Sequence, residues 1–166
     1  MKKAIFPGTF DPFTNGHLDI TERGANMFDA VVVAVTAHNS KKKTMFSVDE
    51  RVKMIEESCK HLPNVTVCSF DTLLVQAAKE QDAEVMIRGL RVTSDFEYEF
   101  VMRQFNSELD SERETVYLMS SGEHMHISST HVKEVSRYGG DVSRYVPKGV
   151  LAALTEKMKE APCKHQ

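Results

Sequence analysis

The 166-residue sequence has no tryptophan, five prolines and three cysteines. The cysteines, Cys59, Cys68 and Cys163, are odd in number and match neither a disulfide framework nor a zinc-binding spacing, so reduced structural thiols are expected. Long apolar runs are missing too. The longest, AVVVAV at 30–35, falls far short of the roughly 20 residues that cross a bilayer, and the amino terminus has no secretory leader pattern. A cytoplasmic chain without a membrane partner is the expectation. Neither sign of charge is in large excess: the formal net charge is −3, with 27% charged and 41% hydrophobic residues. That balance argues against disorder and against a polybasic surface for nucleic acid. With no repeat, linker or low-complexity tract, one domain over 1–166 is expected, its tail frayed from about 160 to 166.

Strand-length, β-branched runs lie at 4–6, 30–37, 65–70, 84–87 and 115–119, and longer amphipathic segments separate them. Parallel neighbours need a crossover, usually a helix on the sheet face, so this alternation predicts a doubly wound five-stranded parallel α/β sheet with helices on both faces. Two helix starts read as capping boxes, Ser47-Val48-Asp49-Glu50 and Ser94-Asp95-Phe96-Glu97. Behind the first, Val48, Val52, Ile55 and Cys59 share a stripe. Behind the second, Tyr98, Val101, Met102, Phe105 and Leu109 share a face, while Phe96 and Phe100 lie off it. That surface is wider than one sheet contact needs. A second subunit or flanking elements of the same chain would cover it equally well.

In an open α/β sheet, ligands bind beyond the carboxyl ends of the strands, where strand order reverses. The first strand leads into PGTFDPFTNGH, residues 7–17. Gly8 and Gly16 permit close backbone approach to a phosphate, Thr9 and His17 add donors, and Asn15 is placed to cap the helix carrying His17. A tight turn with a surface histidine is the plainer alternative. Two further exits add positive charge: HNSKKK at 38–43, with Lys41, Lys42 and Lys43, and RGLR at 88–91, with Arg88 and Arg91. Alone, the lysines read as a solvated loop and the arginines as salt-bridge partners. After the fifth strand, Ser128, Ser129 and Thr130 supply hydroxyls at a helix start. His124 and His126 suggest a metal pair, but no third ligand has a suitable spacing, and no side chain is assigned to a metal. Neither G-x-G-x-x-G nor a P-loop occurs, and no Ser/His/Asp set is in place for covalent catalysis.

Five segments in order, FPGTFDPFTNGH at 6–17, SKK at 40–42, IRGLR at 87–91, DFEYE at 95–99 and ISSTHVKEV at 127–135, resemble the phosphopantetheine adenylyltransferase family. That family belongs to the Rossmann-like nucleotidyltransferases marked by a T/H-x-G-H signature. The resemblance spans nearly the whole chain. It implies AMP transfer from ATP, accompanied by Mg2+, to 4'-phosphopantetheine, giving dephospho-coenzyme A and pyrophosphate in the penultimate step of coenzyme A synthesis. It also implies a homohexamer and coenzyme A as feedback inhibitor. Carried over by position, Thr9, Phe10 and His17 would meet the ATP phosphates, with Thr9 also reaching the acceptor. Lys41, Leu74 and Arg88 would lie along the phosphopantetheine; Gly89, Leu90, Arg91 and Glu99 would surround the nucleotide. His124, Met125, His126, Ile127, Ser128, Ser129 and Thr130 would close over it.

The incoming phosphate is already anionic at neutral pH, its second pKa being about 6, so the implied reaction needs no general base. Alignment and charge compensation remain, and the donors expected to supply them are His17, Lys41, Arg91 and Ser129. Departures from the family pattern are Phe6 for a frequent Tyr, His124-Met125-His126 for an aromatic-Ser-aromatic triplet, Thr130 for Ser and an insertion near Lys43-Thr44. Transfer to another phosphorylated acceptor, such as nicotinamide mononucleotide, and a non-catalytic nucleotide-binding regulator are the competing readings.

Overall fold

Strand β1 (Lys3–Gly8) is central because its residues pair on both sides, with β2 (Ala30–Thr36) along its whole length and with β4 (Val85–Leu90) at Ala4 and Ile5 only. The computed structural model describes residues 1–37 and 44–160. Strands β3 (Val65–Phe70) and β5 (Glu114–Met119) complete a five-stranded parallel sheet in the order β3-β2-β1-β4-β5. The expected α/β sheet is therefore present, and its order reverses between β1 and β4. Lysines 41–43 and the tail residues 161–166 lie outside the described residues.

Alternation along the strands sorts the helices. Ala4, Phe6, Val31, Val33, Val35 and Ile87 share a core with Met54 and Ile55 of α2 (Val48–Ser58), Ile20 of α1 (Asn15–Met27), Val132 of α5 (Ser129–Arg137), and Val150 and Leu154 of α6 (Lys148–Glu160). On the opposite face Ile5, Val32, Ala34 and Met86 pack with Ala77 and Ala78 of α3 (Leu74–Glu80). Cover on both faces explains why AVVVAV is a continuous apolar run rather than an alternating one.

Local signals decide most of the ends. Ser47 accepts from Glu50 N–H at 3.2 Å while the Glu50 carboxylate accepts from Ser47 N–H at 2.7 Å, as the first capping box requires. The second box does not form. Helix α4 (Thr93–Leu109) begins ahead of Ser94, after Val92 and without a side-chain cap, so Ser94 and Glu97 stand inside the helix rather than at its boundary, while Asp95 turns back to Arg91. Strand β4 also outruns its expected end at 87: Arg88, Gly89 and Leu90 pair with Tyr117, Leu118 and Met119 of β5. Arg88 is thus a strand residue, and Gly89 is paired backbone rather than part of the exit loop.

Candidate active site

Beyond Ile5↔Met86 the β1–β4 pairing stops, and the two strands part where the sheet order reverses. A cavity of about 390 Å3 opens there, lined by Gly8 and Phe10 of the first loop, His17 and Ile20 of α1, Arg88 and Arg91 around the end of β4, Asp95, Tyr98 and Glu99 of α4, and residues 127–130 at the start of α5. The gap between strands is closed at its base by a side chain: Arg88 Nη1 donates to the Pro7 carbonyl at 3.3 Å. Pro7 has no N–H to offer a neighbouring strand, so a break in the ladder costs little at this point.

The His17 loop is built differently from expectation. Thr14, not Asn15, caps α1, and Asn15 is the first helical residue, its side-chain amide donating to the Arg144 carbonyl at 3.0 Å. The Thr14 hydroxyl accepts from His17 N–H, while Thr14 N–H donates to His17 Nδ1 at 3.0 Å. An accepting Nδ1 puts the ring proton on Nε2. Desolvation, and secondarily the Arg91 guanidinium, lower the imidazole pKa to about 4. At neutral pH His17 is therefore an uncharged donor. Phe10 meets its ring edge-on at 5.0 Å and Phe13 stacks at 5.6 Å. Phe10 adopts a φ of 50°, and its ring occupies the space a side chain on Gly8 would need, 2.7 Å from such a Cβ. The protein itself fills the room at Gly8.

Both cavity arginines are held by carboxylates. Arg88 forms a bidentate pair with Glu99, Nε to Oε2 at 2.6 Å and Nη2 to Oε1. Arg91 pairs with Asp95 through Nε at 3.0 Å and Nη2 at 3.2 Å, and its Nη1 donates to the Ile127 carbonyl at 3.1 Å. Among the described residues the cavity is thus less positive than RGLR suggests, since each guanidinium has an acidic partner. Arg91 also ties β4 to the segment before α5. There Ser128 caps the helix by accepting from His131 N–H at 3.1 Å, and the Ser129 hydroxyl donates to the Pro12 carbonyl at 2.8 Å. The first-turn N–H groups of α5 favour an anion.

The structure brings Phe10, His17, Arg88, Gly89, Arg91, Glu99, Ile127, Ser128, Ser129 and Thr130 to one cavity. Thr9 sits beside it, its carbonyl accepting from Arg51 at 2.7 Å. Leu90 is buried in the sheet, and Leu74 packs below, in a cleft shared with Arg88 and Glu99. His124 lies against Gly16, with its Nδ1 buried and unpartnered among the described residues, and His126 meets Tyr145 edge-on at 5.7 Å. Met125 is exposed.

Sequence reasoning passed over Asp11, Arg51 and Lys133, which hold the site from behind. Arg51 carried a signal: it stands three residues after Val48 and four before Ile55, on the apolar stripe of α2, and is 1% exposed.

A family model described as cytidylyltransferase-like matches residues 5–135. The chain is 51% identical to the phosphopantetheine adenylyltransferase of Nautilia profundicola, covering 92% of this chain and 98% of that one. Identity is 47% to the phosphopantetheine adenylyltransferase of Caldanaerobacter subterraneus, over 97% of this chain and all of the other, and 48% to that of Thermosynechococcus vestitus, over 98% and 96%. A solved structure from Vibrio parahaemolyticus, described as a nicotinate-nucleotide adenylyltransferase, superposes with a TM-score of 0.70 at 21% identity over 98% of both chains, which is a likeness of fold. Carrying these relationships over almost its full length, the chain belongs to the phosphopantetheine adenylyltransferase family of cytidylyltransferase-like nucleotidyltransferases.

Proposed function

We propose that this protein transfers AMP from ATP to 4'-phosphopantetheine, releasing pyrophosphate and forming dephospho-coenzyme A. The observation that carries the reading is the gathering of neutral His17, Arg91 and the start of α5 in one cavity at the strand-order reversal, in a chain 51% identical to a phosphopantetheine adenylyltransferase.

A phosphate oxygen of the acceptor attacks the α-phosphorus of ATP, a P–O bond forms, and the bond to the pyrophosphate oxygen breaks in line with it. No proton has to be removed, because a phosphate monoester with a second pKa of about 6 is already a nucleophilic anion at neutral pH. His17 donates from Nε2 to the phosphate oxygens on which charge builds, with Arg91 and the first-turn N–H groups of α5, that of Ser129 among them, beside it. A neutral donor suits this task, since it cannot retain pyrophosphate as tightly as a cation. Arg88 and Lys41 receive the acceptor phosphate, and Leu74 meets its apolar arm. Phe10, Gly89, Leu90, Glu99 and the 124–130 segment frame the nucleotide.

Mg2+ enters as part of the ATP complex. Asp95 and Glu99, the cavity's carboxylates, are engaged by arginines, and no group of three or more metal-ligating side chains occurs among the described residues. That donor set fits an ion held by phosphate oxygens and water. When bound with ATP, the ion would supply charge neutralisation at the phosphate oxygens. The cytoplasm is the proposed location; among the described residues no helix is long and apolar enough to cross a membrane. A homohexamer is the proposed assembly, supported by the uncovered face of α4, and coenzyme A is the proposed feedback ligand.

The test is pyrophosphate release from ATP and Mg2+ with three acceptors: 4'-phosphopantetheine, pantetheine and nicotinamide mononucleotide. Release with the first alone is expected. Release with nicotinamide mononucleotide alone, or ATP binding without turnover, would overturn the reading.

A further inference from the structure

Asp11 is 4% exposed and lies behind the cavity, not in its lining. Its carboxylate accepts from three directions. Met45 N–H approaches both oxygens at 3.1 and 3.0 Å, Phe46 N–H reaches Oδ1 at 2.9 Å, and Lys133 Nζ reaches Oδ2 at 2.5 Å. With both oxygens occupied, Asp11 has no role in taking a proton from a substrate. Its partners, however, belong to separate parts of the site. Lys133 stands one turn after Ser129 on α5, and the Ser129 hydroxyl bonds to Pro12, the residue after Asp11. Phe10, the residue before, holds the His17 ring edge-on. Met45 and Phe46 lead from the β2–α2 connection into the Ser47 cap.

Arg51 completes the arrangement. Its guanidinium donates to the carbonyls of Thr9 at 2.7 Å and Thr36 at 3.0 Å, and through Nε to Ser47 at 3.2 Å. The negative charge of Asp11 offsets part of the desolvation that lowers the Arg51 pKa. The His17 loop, the start of α5 and the β2–α2 connection thus share one buried anion. Charge-assisted bonds of this kind are short and directional, which suits them to fixing the relative placement of separate elements.

We propose that Asp11 is a positioning residue for AMP transfer, using Lys133 to lock the Ser128–Ser129 helix start against the loop that carries Phe10 and His17. The proposal rests on the adenylyltransferase reading. Neither residue touches the reacting atoms. Their effect is on where His17 and Ser129 stand relative to one another, so it belongs to kcat rather than to substrate affinity. Removing the Asp11 charge leaves Lys133 without its anion at the back of the site and frees the first turn of α5 to shift.

The test compares Asp11→Asn, Lys133→Met, Lys133→Arg and the double variant D11N/K133M, by steady-state pyrophosphate release below each variant's melting temperature. Displacements of about an ångström in a reacting constellation cost up to about 100-fold, so D11N and K133M are each expected to lower kcat by about 10- to 100-fold while leaving both KM values within about threefold. K133R should retain most of the rate, and the double variant should fall no further than the worse single one. An unchanged kcat with a lower melting temperature, a rise in KM alone, or additive losses in the double variant would each overturn the proposal. If D11N does not fold, the contrast between K133M and K133R decides. Wild-type turnover in the same assay reads the parent assignment separately. Should it be absent, the His17 ring resonances replace kcat, shifting in D11N and K133M if the coupling exists and staying fixed if it does not.

Discussion

Thr14 N–H donates to His17 Nδ1 at 3.0 Å, and this one bond links the start of α1 to the protonation state of the site. A protonated Nδ1 has no lone pair to accept it, so charging the ring would break the cap and place a cation beside Arg91. Desolvation by burial, with the Arg91 guanidinium second, holds folded His17 neutral, its pKa lowered from 6.5 to about 4. NMR of the ring nitrogens is expected to report the Nε2–H tautomer throughout neutral pH and a midpoint near that value. A midpoint at its ordinary position would refute the geometry.

Linkage gives the sign of a second effect. Between pH 6.5 and about 4 the unfolded chain binds a proton that folded His17 refuses. The stability associated with neutral His17 is present above the ordinary pKa and is lost as pH falls through this window. His17→Gln removes the titration, so urea melts of the variant should show a flatter decline across this range than those of the wild type. In rate, His17→Ala, which removes the Nε2–H donor that a glutamine amide could replace, should cost about 100- to 1000-fold in kcat. Equal turnover by the folded variant would remove His17 from the machinery.

Arg88 makes two kinds of bond that lysine cannot make together: a bidentate pair with Glu99 and a reach to the Pro7 carbonyl. Arg88→Lys keeps the charge and loses the fork. Its expected effect is a fall of about 10- to 100-fold in kcat/KM for the phosphorylated acceptor, roughly one to three kcal/mol of a charge-assisted interaction, with the KM for ATP nearly unchanged. Acceptor titrations at saturating ATP measure it. An ATP-specific defect instead would move Arg88 to the nucleotide side.

Burial sets the cost at Arg51. Its side chain is among the largest that are fully enclosed, and it satisfies carbonyls from Thr9, Thr36 and Ser47. Arg51→Met fills similar volume but leaves those oxygens and Asp11 short of a donor or cation, so a loss of about 3 kcal/mol or more is expected in denaturant unfolding. A change within about 0.5 kcal/mol, the usual range for surface substitutions, would show that water or neighbouring groups replace the guanidinium without cost.

The strands were legible because β-branched runs bounded by turn residues have few other homes, and AVVVAV, apolar throughout, announced a strand covered on both faces. The α2 cap was legible for the same local reason. Where two polar residues competed, the sequence alone misplaced the outcome by one position. Thr14 and Asn15 are both good caps, and the bond from Asn15 to Arg144, 129 residues away, settles which of them serves. At Ser94 the box failed because the helix begins one residue before it, at Thr93, and Ser94 is no longer at its boundary. Asp11 was hidden because it reads locally as a loop acid, and Arg51 showed only its place on the apolar stripe of α2; the fold alone supplies the partners that make burying them tolerable.

Helix α4 has no buried residue, although Phe96, Phe100, Val101, Phe105 and Leu109 lie along it. The face expected to meet the sheet is exposed with the rest: Phe105 is 58% and Leu109 56% accessible, alongside Phe100 at 61%. A run of uncovered aromatics this long marks an interaction surface, and a second copy of the same chain is the partner that closed symmetry provides most simply. Light scattering is therefore expected to give a mass well above the 18.8 kDa of one chain, with six copies as the proposed number. Phe105→Glu places a charge in the patch without disturbing the core, so the mass should fall while circular dichroism stays that of a folded α/β protein. A wild-type monomer, or a variant whose mass does not change, would mean that α4 is not the contact.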